Sequence, residues 1–184
     1  MNVRPHDWER LDEQPHADCQ VYRIYKRRFR HPADAREGDF YIQESADWGL
    51  VLALTPESRI VLVRQFRFGI ERLSWEPPGG VVDAGDGHVV EGALRELREE
   101  TGYIGDNPRI IGWCHPNPAL MTNRAHFVLV DNCRQVAGQK LDANEEIEVQ
   151  TFELEEAYYM ARSGEISHCV AQAALFQLHW ALRV

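Results

Sequence analysis

A paired-glycine turn running straight into an acidic helix constrains this chain more than any other feature. Gly79-Gly80-Val81-Val82-Asp83-Ala84-Gly85-Asp86 is followed by Glu91-Gly92-Ala93-Leu94-Arg95-Glu96-Leu97-Arg98-Glu99-Glu100-Thr101-Gly102-Tyr103. Around the second stretch Val90, Ala93 or Leu94, and Leu97 recur at three- and four-residue spacing, which predicts one short amphipathic helix. Gly102 falls where a helix end takes a left-handed residue. On that helix Glu96, Glu99 and Glu100 stand at i, i+3 and i+4, so their carboxylates converge on one side. Like charges so crowded destabilise an isolated helix, and a hard divalent cation, which takes oxygen ligands, reverses the sign of that cost. The glycine turn lets the backbone approach the same point and offer a carbonyl. A solvated acidic face answered by Arg95 and Arg98 is the competing reading. The joint arrival of turn, capped helix and carboxylates favours the cation.

At 184 residues the chain suits one domain that buries about 70% of its unfolded surface. Its net charge of −9 argues against a nucleic-acid-binding surface, which needs clustered Lys and Arg. The exception is Lys26-Arg27-Arg28-Phe29-Arg30, read as a solvated loop or a local anion contact. Cys19, Cys114, Cys133 and Cys169 form no C-x-x-C pair, so zinc and redox-dithiol readings lack support. The start of the chain is too polar for a signal peptide, and no apolar run reaches the length of a membrane span. A cytoplasmic protein with reduced thiols and no membrane partner is the expectation.

Residues 1 to 18 read as a loose polar arm. Gln20–Lys26 and Gly38–Glu44 read as a strand pair, Trp48–Thr55 as a nearly continuous apolar run, and Ile60–Phe66 as a buried strand. Phe68–Trp75 reads as a connection. Strands are expected at Pro108–His115, Arg124–Val130 and Glu146–Phe152, with an exposed loop over Asn132–Asn144. Leu154–Arg162 and Ser167–Arg183 read as helices, the latter the longest. Strands mixed with a few flanking helices imply an α/β sandwich about a mixed sheet, entered by hairpins. An N-terminal strand appendage over residues 1–44, a candidate dimerisation element, precedes the main domain, residues 45–184.

The glycine-helix segment resembles the signature of the Nudix hydrolases, G-x(5)-E-x(7)-R-E-U-x-E-E-x-G-U, with U a bulky aliphatic or aromatic residue. Gly80 supplies the opening glycine, and Arg95, Glu96, Leu97, Glu99, Glu100, Gly102 and Tyr103 supply the closing block in register. The first Glu of the pattern is Asp86 here, and eight residues instead of seven separate it from Arg95. The wider match is similar to the ADP-ribose pyrophosphatase-type branch. It rests on Val61–Arg67 with Glu76-Pro77-Pro78-Gly79-Gly80, Asn117-Pro118, Asn123-Arg124 with His126, Glu145-Glu146-Ile147-Glu148-Val149, and Gly164-Glu165-Ile166.

That resemblance implies a Nudix α/β/α sandwich and Mg²⁺-dependent hydrolysis of a nucleoside diphosphate sugar, ADP-ribose foremost, with Mn²⁺ as a substitute. The products expected are a nucleoside monophosphate and a sugar phosphate, and the state expected is a homodimer. An RNA-cap substrate is disfavoured by the charge. Glu96 and Glu100, one helical turn apart, are the main metal ligands, with Glu99 third, shared or second in line. Gly79 offers its carbonyl by resemblance. Arg95 orients the carboxylates. Glu145, with Glu146 as runner-up, is placed by resemblance as general base. Arg64 and Arg67 are candidate phosphate or nucleotide contacts, with a surface salt bridge as the competing reading; Glu76 and Arg124 join the substrate set by resemblance. Two alternatives stay open: another nucleoside diphosphate-linked substrate, or a Nudix-fold sensor without turnover, motivated by Asp86 and its longer loop.

Overall fold

The structure, a computed structural model, describes residues 4–83 and 85–183. Residues 1–3 of the expected arm, Ala84 of the glycine-rich turn and Val184 lie outside the described residues. The chain divides into two compact units, Met1–Ala46 with Asn117–Asn123, and Asp47–Pro116 with Arg124–Val184.

The first unit is an antiparallel sheet of β1 (Glu9–Asp18), β2 (Arg23–Arg30) and β3 (Glu37–Glu44), in that order. Residues 9–18 are therefore a strand and not a loose arm, and the expected pair is a triplet. The reason is electrostatic. β2 is the basic run, and its neighbours answer it with acids: Arg27 meets Glu13 at 2.5 Å and Glu44 at 3.5 Å. Arg28 and Lys26 both reach Asp39 at 2.7 Å, and Arg30 reaches Glu37 at 2.9 Å. Each exposed pair, screened by solvent, contributes little by itself, yet a one-residue slip would send these side chains to the opposite face. Hydrogen bonds from Arg28 and Lys26 hold the Asp39 carboxyl well below the usual carboxylate range. Residues 117–123 attach to β3, with the Gln43 N–H donating to the Leu120 carbonyl at 2.7 Å.

The second unit contains β4 (Trp48–Ala53), β5 (Ile60–Arg67), β6 (Arg72–Glu76), β7 (Gly79–Val81), α1 (Val89–Thr101), β8 (Tyr103–Cys114), β9 (Ala125–Gln135), β10 (Glu148–Phe152), α2 (Leu154–Ser163) and α3 (Cys169–Ala181). The mixed sheet expected is β7-β4-β9-β8, in which β4 and β9 run parallel with Trp48 opposite Ala125. β10-β5-β6 is a second, antiparallel sheet. The continuous apolar run of β4 is explained by burial on both faces. Leu50 and Leu52 pack with Phe127, Leu129, Leu175 and Leu178, whereas Val51 and Ala53 pack with Val128, Val130, Ala93 and Leu97. Helices α3 and α1 thus cover opposite faces of one sheet, which is the α/β/α layering.

Four elements of this unit differ from the sequence reading. Arg72–Glu76, inside the stretch read as a connection, pairs with β5, and its Ser74, Trp75 and Glu76 are buried. β9 continues to Gln135 because the Cys133 side chain is buried there, so the loop starts later than Asn132. β8 opens at Tyr103, well before Pro108, and α3 equals α1 at 13 residues instead of exceeding it. Among the described residues no helix is long and apolar enough to cross a membrane. All four cysteines are free thiols.

Candidate active site

α1 begins where the His88 side chain accepts from the Val90 N–H at 3.2 Å, and it ends on Gly102 at φ 73°. An L side chain at that left-handed end is strained, as the sequence anticipated. The buried face of the helix carries Ala93, Leu97 and, against expectation for a charge, Glu100 at 4% exposure. The glycine turn explains how. Gly79 sits at φ 152°, where a Cβ would lie 2.1 Å from the Gly49 carbonyl oxygen, so only glycine lets β7 press onto β4. From there the Gly79 N–H donates to Glu100 Oε2 at 2.8 Å. A Cβ on Gly80 would come within 2.8 Å of the Glu96 carboxyl carbon. The turn and the acidic helix therefore meet, as the spacing implied.

Burial pushes the Glu100 carboxyl up to about 8; the Gly79 N–H opposes the rise, and the charges of Glu96 and Glu145 add to it. Burial also raises Glu96, against the pull of Arg95. The charge of Glu145 acts on this cluster, and its loop is tied to the end of α1. The Gln139 amide donates to the Glu100 carbonyl at 2.7 Å and to the Ile147 carbonyl at 2.9 Å, and the Lys140 N–H donates to the Glu99 carbonyl at 2.8 Å. The Glu145 carboxylate accepts from the Asp142 N–H at 3.0 Å, and Glu145 and Glu146 are both exposed.

Arg95 is the organiser of the outer side. Its Nη1 donates to Glu96 at 2.9 Å and Glu99 at 3.0 Å, and its Nη2 donates to Asp86 at 3.1 Å and Asp83 at 3.2 Å. Asp86 lies so close over Gly92 that a Cβ there would stand 2.6 Å from its Oδ2. The shorter acid on the longer loop thus still grips the arginine, chiefly through the hydrogen bond that raises the Arg95 proton affinity.

The chemistry of this donor set suits a hard cation: crowded carboxylates, two of them with raised proton affinity, beside a backbone turn. Among the described residues no three such side chains stand in ligating geometry. Arg95, bonded to both Glu96 and Glu99, supplies the compensating positive charge.

Next to the acidic cluster is a cleft of about 600 Å³ whose wall includes Gly79 and Gly80. Arg67 and Glu76 line it; Arg64 and Arg124 lie outside its lining. Arg64 is 3.5 Å from Glu148, and Arg124 lies over the Trp113 ring at 4.8 Å. Arg67 grips the buried Glu76 through Nε at 2.9 Å and Nη2 at 2.8 Å. His168 Nδ1 approaches the same carboxylate at 2.7 Å. Burial pushes Glu76 up, but the His168 and Arg67 bonds outweigh it and leave the group lowered to about 2. Sequence reasoning missed His168, which no local motif marks.

A sequence model of the NUDIX domain matches residues 46–169. The chain belongs to the NUDIX family. Over 117 residues it is 34% identical to an ADP-ribose pyrophosphatase of Bacillus subtilis, a match covering 63% of each chain. It is 31% identical over 115 residues to a CMP-5'-(N-acetyl-N-hydroxy-3-aminopropyl)phosphonate hydrolase of Streptomyces rubellomurinus, covering 62% of this chain and 55% of that one. Against an ADP-ribose pyrophosphatase of Mycobacterium tuberculosis the identity is 23% over 178 residues, covering 95% of this chain and 84% of that one. In fold this NUDIX protein resembles the crystal structure of an ADP compounds hydrolase, with a TM-score of 0.84, 15% identity, and 99% and 97% of the two chains covered.

Proposed function

We propose that the protein hydrolyses the diphosphate bond of a nucleoside diphosphate sugar, ADP-ribose foremost, with Mg²⁺ as its cofactor. The observation that carries the reading is the shared wall. Gly79 and Gly80 border the cleft on one side and touch Glu100 and Glu96 on the other. A diphosphate in the cleft therefore lies beside the acidic cluster.

Glu96 and Glu100 would hold the cation, with Glu99 and the Gly79 carbonyl completing the set. When bound, Mg²⁺ neutralises phosphate charge and lowers the pKa of water. Glu145, whose charge is felt by both Glu96 and Glu100, is the base that takes the water proton, ahead of Glu146. The water oxygen bonds to phosphorus, the bridging P–O bond breaks, and ADP-ribose gives AMP and ribose 5-phosphate. Arg95 keeps the carboxylates aligned through Asp86. Arg67 presents its Nη1 edge to the diphosphate, because Glu76 occupies the other two nitrogens. Arg64 and Arg124 are read as outer contacts for the nucleotide.

The test is AMP release from ADP-ribose, followed by chromatography with Mg²⁺, with Mn²⁺ and with chelator. Binding without product would favour a sensor. Because the Streptomyces relative bears the name of a CMP-phosphonate hydrolase, the panel includes CMP-linked compounds, and preference for one of these would redirect the substrate but not the chemistry. We read the N-terminal three-stranded unit as a dimerisation element, which light scattering of the full chain and of a chain lacking residues 1–46 would check.

A further inference from the structure

Among the polar groups of the cleft to which the hydrolase reading gives no role, one is bonded to the Arg67–Glu76 pair. His168 is the N-cap residue of α3, yet its side chain makes no cap hydrogen bond. Its ring turns to Glu76 instead, Nδ1 lying 2.7 Å from Oε2. That oxygen also takes Arg67 Nη2, while Oε1 takes Arg67 Nε. Glu76 is 2% exposed, and an ionised carboxylate only accepts, so Nδ1 carries the ring proton in this pair.

The carboxylate is thereby pinned by donors from two separate elements, the end of β5 and the start of α3. With the ring donor gone, Glu76 has only Arg67 to fix it, and the pair can swing together. With the ring donor present, Glu76 is a fixed anvil, and the planar guanidinium bonded to it along one edge has a single orientation. Its Nη1, which takes no part in the Glu76 bonds, is then held in one place on a side chain that lines the cleft together with His168.

We propose that His168 is a positioning residue for substrate binding, which acts through Glu76 to aim Arg67 at the diphosphate of a ligand in the cleft. The substrate named here rests on the hydrolase reading; the relay itself does not.

The experiment compares wild type, H168A and H168N in ADP-ribose hydrolysis with Mg²⁺, each variant first shown to melt cooperatively. Loss of a charge-assisted hydrogen bond predicts that H168A raises KM about tenfold with kcat within about twofold. The amide nitrogen of H168N stands where Nδ1 stood, so KM returns to within about threefold of wild type. A KM unchanged in H168A, or an equal rise in H168N, overturns the proposal, as does a fall in kcat at constant KM. If wild type releases no AMP, the hydrolase reading fails by itself, and the relay is read from ADP-ribose affinity by calorimetry. There a roughly tenfold weaker Kd in H168A that H168N restores supports it, and equal Kd values overturn it.

Discussion

Replacing Glu100 by Gln separates stability from catalysis in opposite directions. In the metal-free protein the carboxyl is raised from 4.5 to about 8, with burial as the first cause. A group raised by folding contributes stability that is fully present below its unfolded pKa and is lost as pH rises through its folded pKa. The wild-type protein in chelator therefore loses stability between about pH 4.5 and about pH 8. At about 1.4 kcal/mol per tenfold change in proton affinity, the ceiling is about 5 kcal/mol. Relaxation and water entry around a buried charge cut such values, so about 2 kcal/mol is the working expectation. Gln keeps an oxygen to accept from the Gly79 N–H and never ionises. At pH 9 in chelator E100Q should therefore melt about 4–8 °C above wild type, taking about 2–4 °C per kcal/mol for a chain of this length. At pH 5 the two should coincide. Mg²⁺ should raise the melting temperature of wild type and not of the variant, and AMP release by E100Q should fall at least about a hundredfold. Equal melting temperatures at pH 9, or a variant less stable than wild type at every pH, would refute the reasoning.

Gly79→Ala forces a Cβ against the Gly49 carbonyl oxygen at a left-handed φ; urea titration should show a loss of about 3 kcal/mol or more. Arg95→Ala removes the donor shared by Asp86, Glu96 and Glu99, and kcat should drop about a hundredfold with KM little changed. Glu145→Gln should cost about 10²–10³ in kcat if it is the base, with Glu146→Gln within about threefold of wild type; the reverse ranking in steady-state kinetics would reassign the role.

The parts of the fold legible in the sequence are those set by near neighbours. α1 announced itself through Val90, Ala93, Leu97 and Gly102, and Glu96 and Glu100 met the glycine turn because the helix period and one tight turn suffice to bring them together. β4 was visible as an apolar run because both faces are covered. β1 was not, since its partners are arginines on another strand and charge complementarity leaves no hydrophobic period. β6 was hidden because Ser74 and Glu76 are polar residues in buried positions. Arg64 and Arg67 looked alike in sequence, yet three positions along a strand they fall on opposite faces, and of the two only Arg67 lines the cleft. His168 and Glu76 are 92 positions apart, and no local pattern encodes a contact of that span.

The shortness of β7 has its own consequence. With three residues β7 is the shortest strand of the main unit among the described residues, held by β4 on one side and, on the other, by the Gly79 amide on Glu100 and Arg95 on the Val81 carbonyl. Mild denaturant should peel it away while the paired β4–β9 centre persists. Hydrolysis would then cease in a molecule that still looks native by circular dichroism, and the working lifetime of the protein would be set by the melting of one small hinge and not by global collapse.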